Sequence, residues 1–510
     1  MRKQKTFYNM IGTISSYFIT MIFNFITIPL IIKFLGIEYS GVNGLFTNII
    51  TMLSLVELGI GGTIVFKLYK PLAENDIEQI KSWMSFYKKC YRYIGIAVAI
   101  IGLLIIPIVP IIIGEVAIKE NIIILYLICL FDVVSSYFLS FKYSLLFADQ
   151  KHYITSIANC LSITITKIFQ IILLFFVKSY TVYLLLKMFF RFVEHISVSY
   201  YVDKKYPYIK EPAQEISKEE KQNVYTRIKA IFLAKISNVI NSGTDNIIIS
   251  LFLGVVSVGY YSNYYLIVHT INTLLNQALS GTTASVGDLL TENNIEKSYD
   301  IFKKINMLNS FVTSIGIVGF LAAIQPFICI WLGEKYLLSS LIVISFGLYI
   351  YTNCIDKAIC LFRDAAGIYK DRHMFVIMAI INIVASIILC KFIGIAGVII
   401  GTVISRIFII FCCHPIYTYK VLFKKKTRTY LSEYIKYFIY IVLSSAITIT
   451  ICRLIVFSNI VIQFLFNALL AITICILLFT LMFGKTNEFQ YYINLLKRIF
   501  KKIIFKTKKN

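Results

Sequence analysis

Residues 34–41 read Phe34-Leu35-Gly36-Ile37-Glu38-Tyr39-Ser40-Gly41, and the same Phe-Leu-Gly returns 218 residues later as Phe252-Leu253-Gly254, with Gly41 matched by Gly259. At that offset Leu72-Ala73-Glu74-Asn75-Asp76-Ile77-Glu78 is answered by Leu290-Thr291-Glu292-Asn293-Asn294-Ile295-Glu296. Each stretch taken alone is ordinary helix-cap chemistry. Two matched places with no gap between them argue for an internal repeat, and a path between similar halves is how many membrane transporters are built.

Working outward, the flanks are apolar almost everywhere. Hydrophobic residues make up 58% and charged residues 15% of the 510 residues, and the mean hydropathy is +0.78. Such a chain is too apolar for a soluble domain. Stretches of roughly 20 apolar residues, each long enough to span a bilayer as a helix, follow one another. The sequence predicts about fourteen. They lie near 10–33, 40–66, 93–114, 121–147, 154–177, 180–201, 228–252, 258–284, 305–329, 337–362, 373–391, 395–417, 435–456 and 460–483. The basic opening Arg2-Lys3-Gln4-Lys5 runs into a span too long and too polar for a signal peptide core.

The net charge of +24 could suggest nucleic acid, but its placement argues against that partner. With the N-terminus in the cytoplasm, most Lys and Arg fall in cytoplasmic segments. Outer loops carry few, namely Lys33, Lys119, Lys178, Lys335 and Lys391. This positive-inside bias predicts a multi-pass membrane protein with both termini in the cytoplasm, in contact with anionic lipid.

Charges inside the spans carry more information. Lys142, Lys167, Lys187, Arg191, Lys235, Lys357, Arg406 and Arg453 lie within predicted spans, as do Glu57, Asp132, Glu194, Asp245 and Asp356. A charge at the bilayer centre costs about 2.5–3.5 kcal/mol or more, so such groups pair, face water or reach the interface. Snorkelling accounts for Arg453 and can account for Lys357 and Lys142. It does not reach Lys167 or Arg406, which lie about ten residues, roughly 15 Å, from either span end.

In the sixth span Lys187, Arg191 and His195 recur every four residues and share one face, with Glu194 beside them. The seventh carries Lys235, Asn238, Ser242 and Asp245, and the first carries Asn9, Thr13, Ser16, Thr20, Asn24 and Thr27. Such stripes either bond helix to helix or line a water-filled cavity; cations on several spans favour the cavity. The eight cations outnumber the five acids, which suits an anionic, phosphate-bearing substrate. Glu57, Asp132 and Asp245 either couple transport to H+ or Na+ or neutralise a neighbouring cation.

The Phe34–Gly41 stretch, the run Glu57-Leu58-Gly59-Ile60-Gly61-Gly62, the segment Lys67-Leu68-Tyr69-Lys70-Pro71-Leu72-Ala73-Glu74 and the repeat together resemble the Wzx-type oligosaccharide-lipid flippases of the multidrug/oligosaccharidyl-lipid/polysaccharide superfamily. The resemblance extends over essentially the whole chain, through patterns rather than catalytic signatures. It implies an all-α polytopic membrane protein with two six-helix lobes around a central cavity and two extra C-terminal helices. The expected organisation is a lobe over 1–201, a cytoplasmic linker over 202–227, a second lobe over 228–417, two further spans over 418–483 and a basic amphipathic tail over 484–510. Undecaprenyl-diphosphate-linked oligosaccharide is the implied substrate, polysaccharide polymerase machinery an implied partner, and alternating access the implied mechanism. Lipid-II flippases carry several Arg in their first two spans. Here the first span has none and the second has Glu57, which argues against lipid II.

Lys167, Arg191, Lys235 and Arg406 are the leading candidates for substrate contact, followed by Lys187 and Lys142. Glu57, Asp245 and Asp132 are the candidates for coupling or charge pairing. The glycines Gly59, Gly61 and Gly62 serve either close packing or a hinge. The eleven Cys show no metal spacing and no disulfide framework, and no nucleotide loop, metal motif or catalytic constellation stands out, so neither cofactor nor enzyme activity is expected. Two other classes stay open: an ion-coupled drug exporter of the same superfamily, and a membrane polysaccharide polymerase, which would need a large outer loop that the spacing of spans does not provide.

Overall fold

The repeat is written into the backbone. In a computed structural model, which describes residues 2–57, 60–226, 228, 243–280, 283–292, 294–368 and 372–507, helices begin at matched points. Along the first part run α1 (Arg2–Phe34), α2 (Ile37–Leu53), α3 (Ile60–Glu74), α4 (Ile77–Ile105), α5 (Val109–Ile113), α6 (Ile122–Ser140), α7 (Tyr143–Ala148), α8 (His152–Phe176) and α9 (Tyr180–Lys205). Then follow α10 (Asp245–Leu253), α11 (Val255–Ser280), α12 (Thr283–Thr291), α13 (Ile295–Trp331), α14 (Ser340–Cys354), α15 (Lys357–Ala365), α16 (Arg372–Ile393) and α17 (Ile395–Phe408). A π-helix over Ile409–Tyr419 leads to α18 (Lys420–Phe423), α19 (Thr427–Leu454), α20 (Ile460–Phe483) and α21 (Asn487–Thr507). The starts of α2 and α11, of α4 and α13, and of α6 and α14 are each displaced by 218 residues.

The local reasons repeat too. Gly36 (φ 120°, ψ 164°) and Gly254 (φ 81°, ψ 163°) turn the chain at matched points in a region that side chains rarely enter. The side chains of Asp76 and Asn294 each cap the following helix by accepting from the backbone N–H three residues on, at 3.0 Å. Helix-cap chemistry and the repeat are thus one observation.

No strand occurs among the described residues. Nine of their helices are long and apolar enough to cross a membrane, fewer than the expected fourteen for physical reasons. The sixth span, α9, carries Lys187, Arg191 and Glu194 at its middle. Much of the seventh lies outside the described residues. The second is interrupted, with a 3-10 turn at Ser54–Glu57 separating α2 from α3. The fourth also breaks, between α6 and α7, and the tenth between α14 and α15, although both still count among the nine. Helices broken at membrane depth are tolerated where they are buried in protein or line a cavity.

Large apolar side chains point outward along these helices. Leu104 and Ile111 are each 70% exposed, Leu481 79% and Phe176 83%, a surface for acyl chains rather than water.

The chain divides into two units, Met1–Asn263 and Tyr264–Asn510. The first has one continuous core, built on Val42, Leu45, Phe46, Ile64, Leu68, Leu125, Tyr126 and Leu145. The residues expected to form the linker are tied to it. Lys81, outside the expected spans, is buried beneath Glu78 (2.6 Å) and Glu211 (3.2 Å), and donating to Glu78 and then Glu211 holds its ammonium above the ordinary lysine range. The described end of the seventh span also belongs to this unit. On α2, Asn48 donates to the Gly243 carbonyl of that span at 3.3 Å, and Ser40 donates to Asn263 at the start of the next, on α11, at 3.2 Å. A Cβ on Gly41 would strike the Val255 carbonyl oxygen, and one on Gly259 would come within 2.7 Å of the Ile37 carbonyl oxygen. The two matched glycines let repeat-related backbones touch.

In the second unit α20 packs on α13 through Ala471, Cys475, Val318 and Ala322, and Asn467 donates to the Ala322 carbonyl at 2.8 Å. The two expected C-terminal spans therefore belong to this core. The first turns of α21 are tied down by Lys303–Glu488 at 2.6 Å and by Tyr492 donating to the Lys304 carbonyl at 3.1 Å.

Candidate functional site

A cavity of about 860 Å³ opens inside the first unit. Its cations are Lys167 on α8 and Lys187 and Arg191 on α9, and its acids are Glu57 and Glu194. Around them stand hydroxyls and amides, including Thr20, Asn24, Asn43, Thr47, Asn159 and Gln170. The polar face of α1 thus points into a cavity through Thr20 and Asn24, while Ser16 bonds the Ser156 carbonyl on α8 at 2.9 Å. One stripe serves both readings open from the sequence. The side chains of Asn9 and Thr13 lie outside the described residues.

The three cations are held differently. Lys167 Nζ lies 3.4 Å from both Thr27 Oγ1 and Tyr183 Oη, neutral partners, and faces the Tyr183 ring at 5.9 Å. Tyr183 is itself braced by Gln170 donating to its carbonyl at 2.9 Å. Arg191 Nη1 donates to Asp132 Oδ2 on α6 at 3.2 Å, with Asp132 buried and Arg191 42% exposed. Among the described residues neither Lys167 nor Lys187 has a carboxylate within ion-pair reach. Cations without a direct ion-pair partner in a polar pocket favour an anion there. His195, one turn beyond Arg191, bonds Tyr143 through Nδ1 at 2.9 Å.

Glu57 occupies the break between α2 and α3, where Tyr91 donates to it. Gly61 makes room for that bond, since a Cβ there would lie 3.3 Å from the Tyr87 hydroxyl and 3.6 Å from that of Tyr91. Gly62 faces open space, and Gly59 lies outside the described residues. Tyr91 and Tyr183 were not singled out in the sequence, where two among 35 tyrosines carry no distinguishing signal.

The remaining candidates lie elsewhere. Lys142 is not in the cavity lining. It stands at the break before α7, paired with Asp203 at 2.5 Å and donating to Ser199 at 2.7 Å. Asp245 is buried at the start of α10 and accepts from Tyr261 at 3.0 Å. Arg406 belongs to the second unit, where its Nε donates to the Thr352 carbonyl at 2.9 Å and its Nη2 lies 3.7 Å from Asp356 Oδ2. Lys235, Asn238 and Ser242 lie outside the described residues.

These features define an all-helical, multi-pass membrane protein with a polar internal cavity. The chain belongs to the polysaccharide biosynthesis protein family, whose model matches residues 6–284. Its fold is shared with solved flippases and transporters. It is similar to a structure described as "Lipid II flippase MurJ, inward closed conformation", with a TM-score of 0.70, 18% identity, and coverage of 93% of this chain and 99% of that one. It is also similar to a multidrug resistance MATE family transporter in an inward-facing conformation (TM-score 0.57, 13% identity, covering 76% and 91%). A Vibrio cholerae MATE transporter, VcmN, gives a TM-score of 0.52 at 13% identity, covering 79% and 92%. At these identities the likeness is one of fold. No curated protein matches the chain.

Proposed function

We propose that this protein is a flippase that carries undecaprenyl-diphosphate-linked oligosaccharide units across the bacterial cytoplasmic membrane by alternating access, supplying surface polysaccharide assembly such as O-antigen or capsule. The observation that carries the reading is the cavity of the first unit, where Lys167 and Lys187, which have no ion-pair partner among the described residues, stand beside Arg191. A diphosphate would complete that field, Arg191 offering a planar fork and the lysines point charges. The surrounding hydroxyls and amides suit hydrated sugars. Membership of a polysaccharide biosynthesis family supports the substrate class.

In this reading Lys235, Lys142 and Arg406 contribute only where the transport cycle brings them to the path, and Glu57, Asp132 and Asp245 orient the cations or couple H+ or Na+. The protein transports rather than catalyses, and both termini lie in the cytoplasm.

The test is depletion of the protein, with lipid-linked oligosaccharide followed by an external sugar-modifying probe. Accumulated intermediate protected from the probe is the expected result. Accumulated single units already exposed outside would point to a polymerase, and no accumulation to an exporter of small molecules.

A further inference from the structure

The second unit gathers three metal-ligating side chains that the cavity does not use. Asp356 stands at the break between α14 and α15, as the residue before Lys357. Cys360 lies one turn on, its backbone N–H donating to the Asp356 carbonyl at 3.0 Å, so both side chains share a face. His414 comes from the π-helix of residues 409–419, immediately before Pro415. A proline inside a helix lacks its N–H and crowds the preceding turn, and π-turns recur where a helix must place a functional side chain. Here that side chain is His414, turned onto Asp356 and Cys360.

The separations form a nearly equilateral triangle. Asp356 Oδ2 lies 3.4 Å from His414 Nε2, and Cys360 Sγ lies 3.7 Å from each of them. As a hydrogen bond the Asp356–His414 contact is long, against a usual N···O distance of about 2.9–3.0 Å. As ligands of one ion they fit. With zinc bonds of about 2.3 Å to sulfur, 2.0–2.1 Å to nitrogen and 2.0–2.2 Å to oxygen, tetrahedral angles put such atoms about 3.3–3.6 Å apart. His414 and Asp356 have side chains only 1% and 3% exposed. Asp356 Oδ1 and His414 Nδ1 are buried without hydrogen-bond partners, so the cluster is short of partners for a purely hydrogen-bonded one.

We propose that Asp356, Cys360 and His414 bind a zinc-class divalent metal ion that staples α15 to the π-helix. A thiolate and a carboxylate cancel the ion's double charge. Because Asp356 is already ionised beside Arg406, taking up the ion and releasing the Cys360 proton turns a singly negative cluster into a neutral one, and Arg406, 3.7 Å from Asp356 Oδ2, keeps its second anchor on the Thr352 carbonyl. A thiolate–imidazole–carboxylate set selects zinc and its neighbours over sodium, magnesium or calcium. The fourth tetrahedral position is open to a water. Nothing in the spacing announces the site, because the Cys–His separation of 54 residues matches no metal motif.

The test uses the full-length protein in detergent with its affinity tag removed. Metal content is measured after loading with zinc and washing, and optical spectra after loading with cobalt. Expected are about one ion per chain, a near-ultraviolet thiolate-to-cobalt band, and protection of Cys360 from maleimide by zinc. Cys360→Ser should abolish the band and the retained ion, while Cys412→Ser should keep both. His414→Gln should also lose the ion. Should that buried change prevent folding, the half-exposed Cys360 variant carries the test alone. Absence of retained metal and of a cobalt band in the unaltered protein overturns the proposal, as does full binding by Cys360→Ser.

Discussion

A lysine in a membrane protein must be answered by a carboxylate, by water or by cargo, and among the described residues neither Lys167 nor Lys187 has a carboxylate within ion-pair distance. Removing either charge should slow translocation by about 10- to 100-fold, the worth of a charge-assisted hydrogen bond of roughly 1.5–3 kcal/mol, with little effect on the amount of folded protein. Parallel loss of protein and transport would show that these residues hold the fold instead. Arg191 is expected to behave differently because it answers the buried Asp132. Arg191→Ala strands that carboxylate, and breaking a buried pair costs up to about 3–5 kcal/mol, less here because Arg191 is partly solvated. The double change Asp132→Asn with Arg191→Gln should recover thermal stability without recovering transport, and Arg191→Lys should be milder than Arg191→Ala. A melting temperature that stays low in the double variant would deny the pairing. Lys167, Lys187 and Arg191 were legible in the sequence because a charge within an apolar run is visible without any fold. Their partners were not. Asp132 lies 59 residues from Arg191, and nothing local relates them.

At the scale of elements, the broken helices are where the sequence under-reported the structure. Hydropathy merges α2 with α3 and α14 with α15 because the breaks at Ser54–Glu57 and Ile355–Asp356 are themselves mostly apolar or short. The glycines after the first break admit a direct test of packing against hinge. Gly61→Leu must displace the Tyr87 and Tyr91 hydroxyls and with them the bond to Glu57, whereas Gly62→Ala meets open space. The first should lower both melting temperature and transport, and the second should leave both near normal. Gly61→Leu that melts normally yet does not transport would instead support the hinge. Lys81→Ala should free the segment around Glu211 and speed its limited proteolysis while the helices stay resistant. Unchanged cleavage would mean that Ile216 and Val224, buried against the same core, hold the segment by themselves.

For the whole molecule, the repeat was the most legible feature, since its signals are local: a glycine turn and a capping Asp or Asn that any two copies must keep. The proposed topology rests on charge. Cysteines introduced at Lys119, Lys178 or Lys335 should react with an impermeant reagent added outside intact cells, and those at Lys424–Lys426 should not. The reverse pattern would invert the assigned orientation. The cavity's size has a consequence of its own. A space of about 860 Å³ can hold water on the order of tens of molecules, enough to keep a diphosphate, the proposed cargo, hydrated as it enters. An entering diphosphate then trades one hydration shell for another instead of being stripped bare. Binding on such terms is shallow, release is quick, and the sugars beyond the phosphates are met largely through water. A carrier built this way tolerates changes in its glycan more readily than the loss of its anionic anchor.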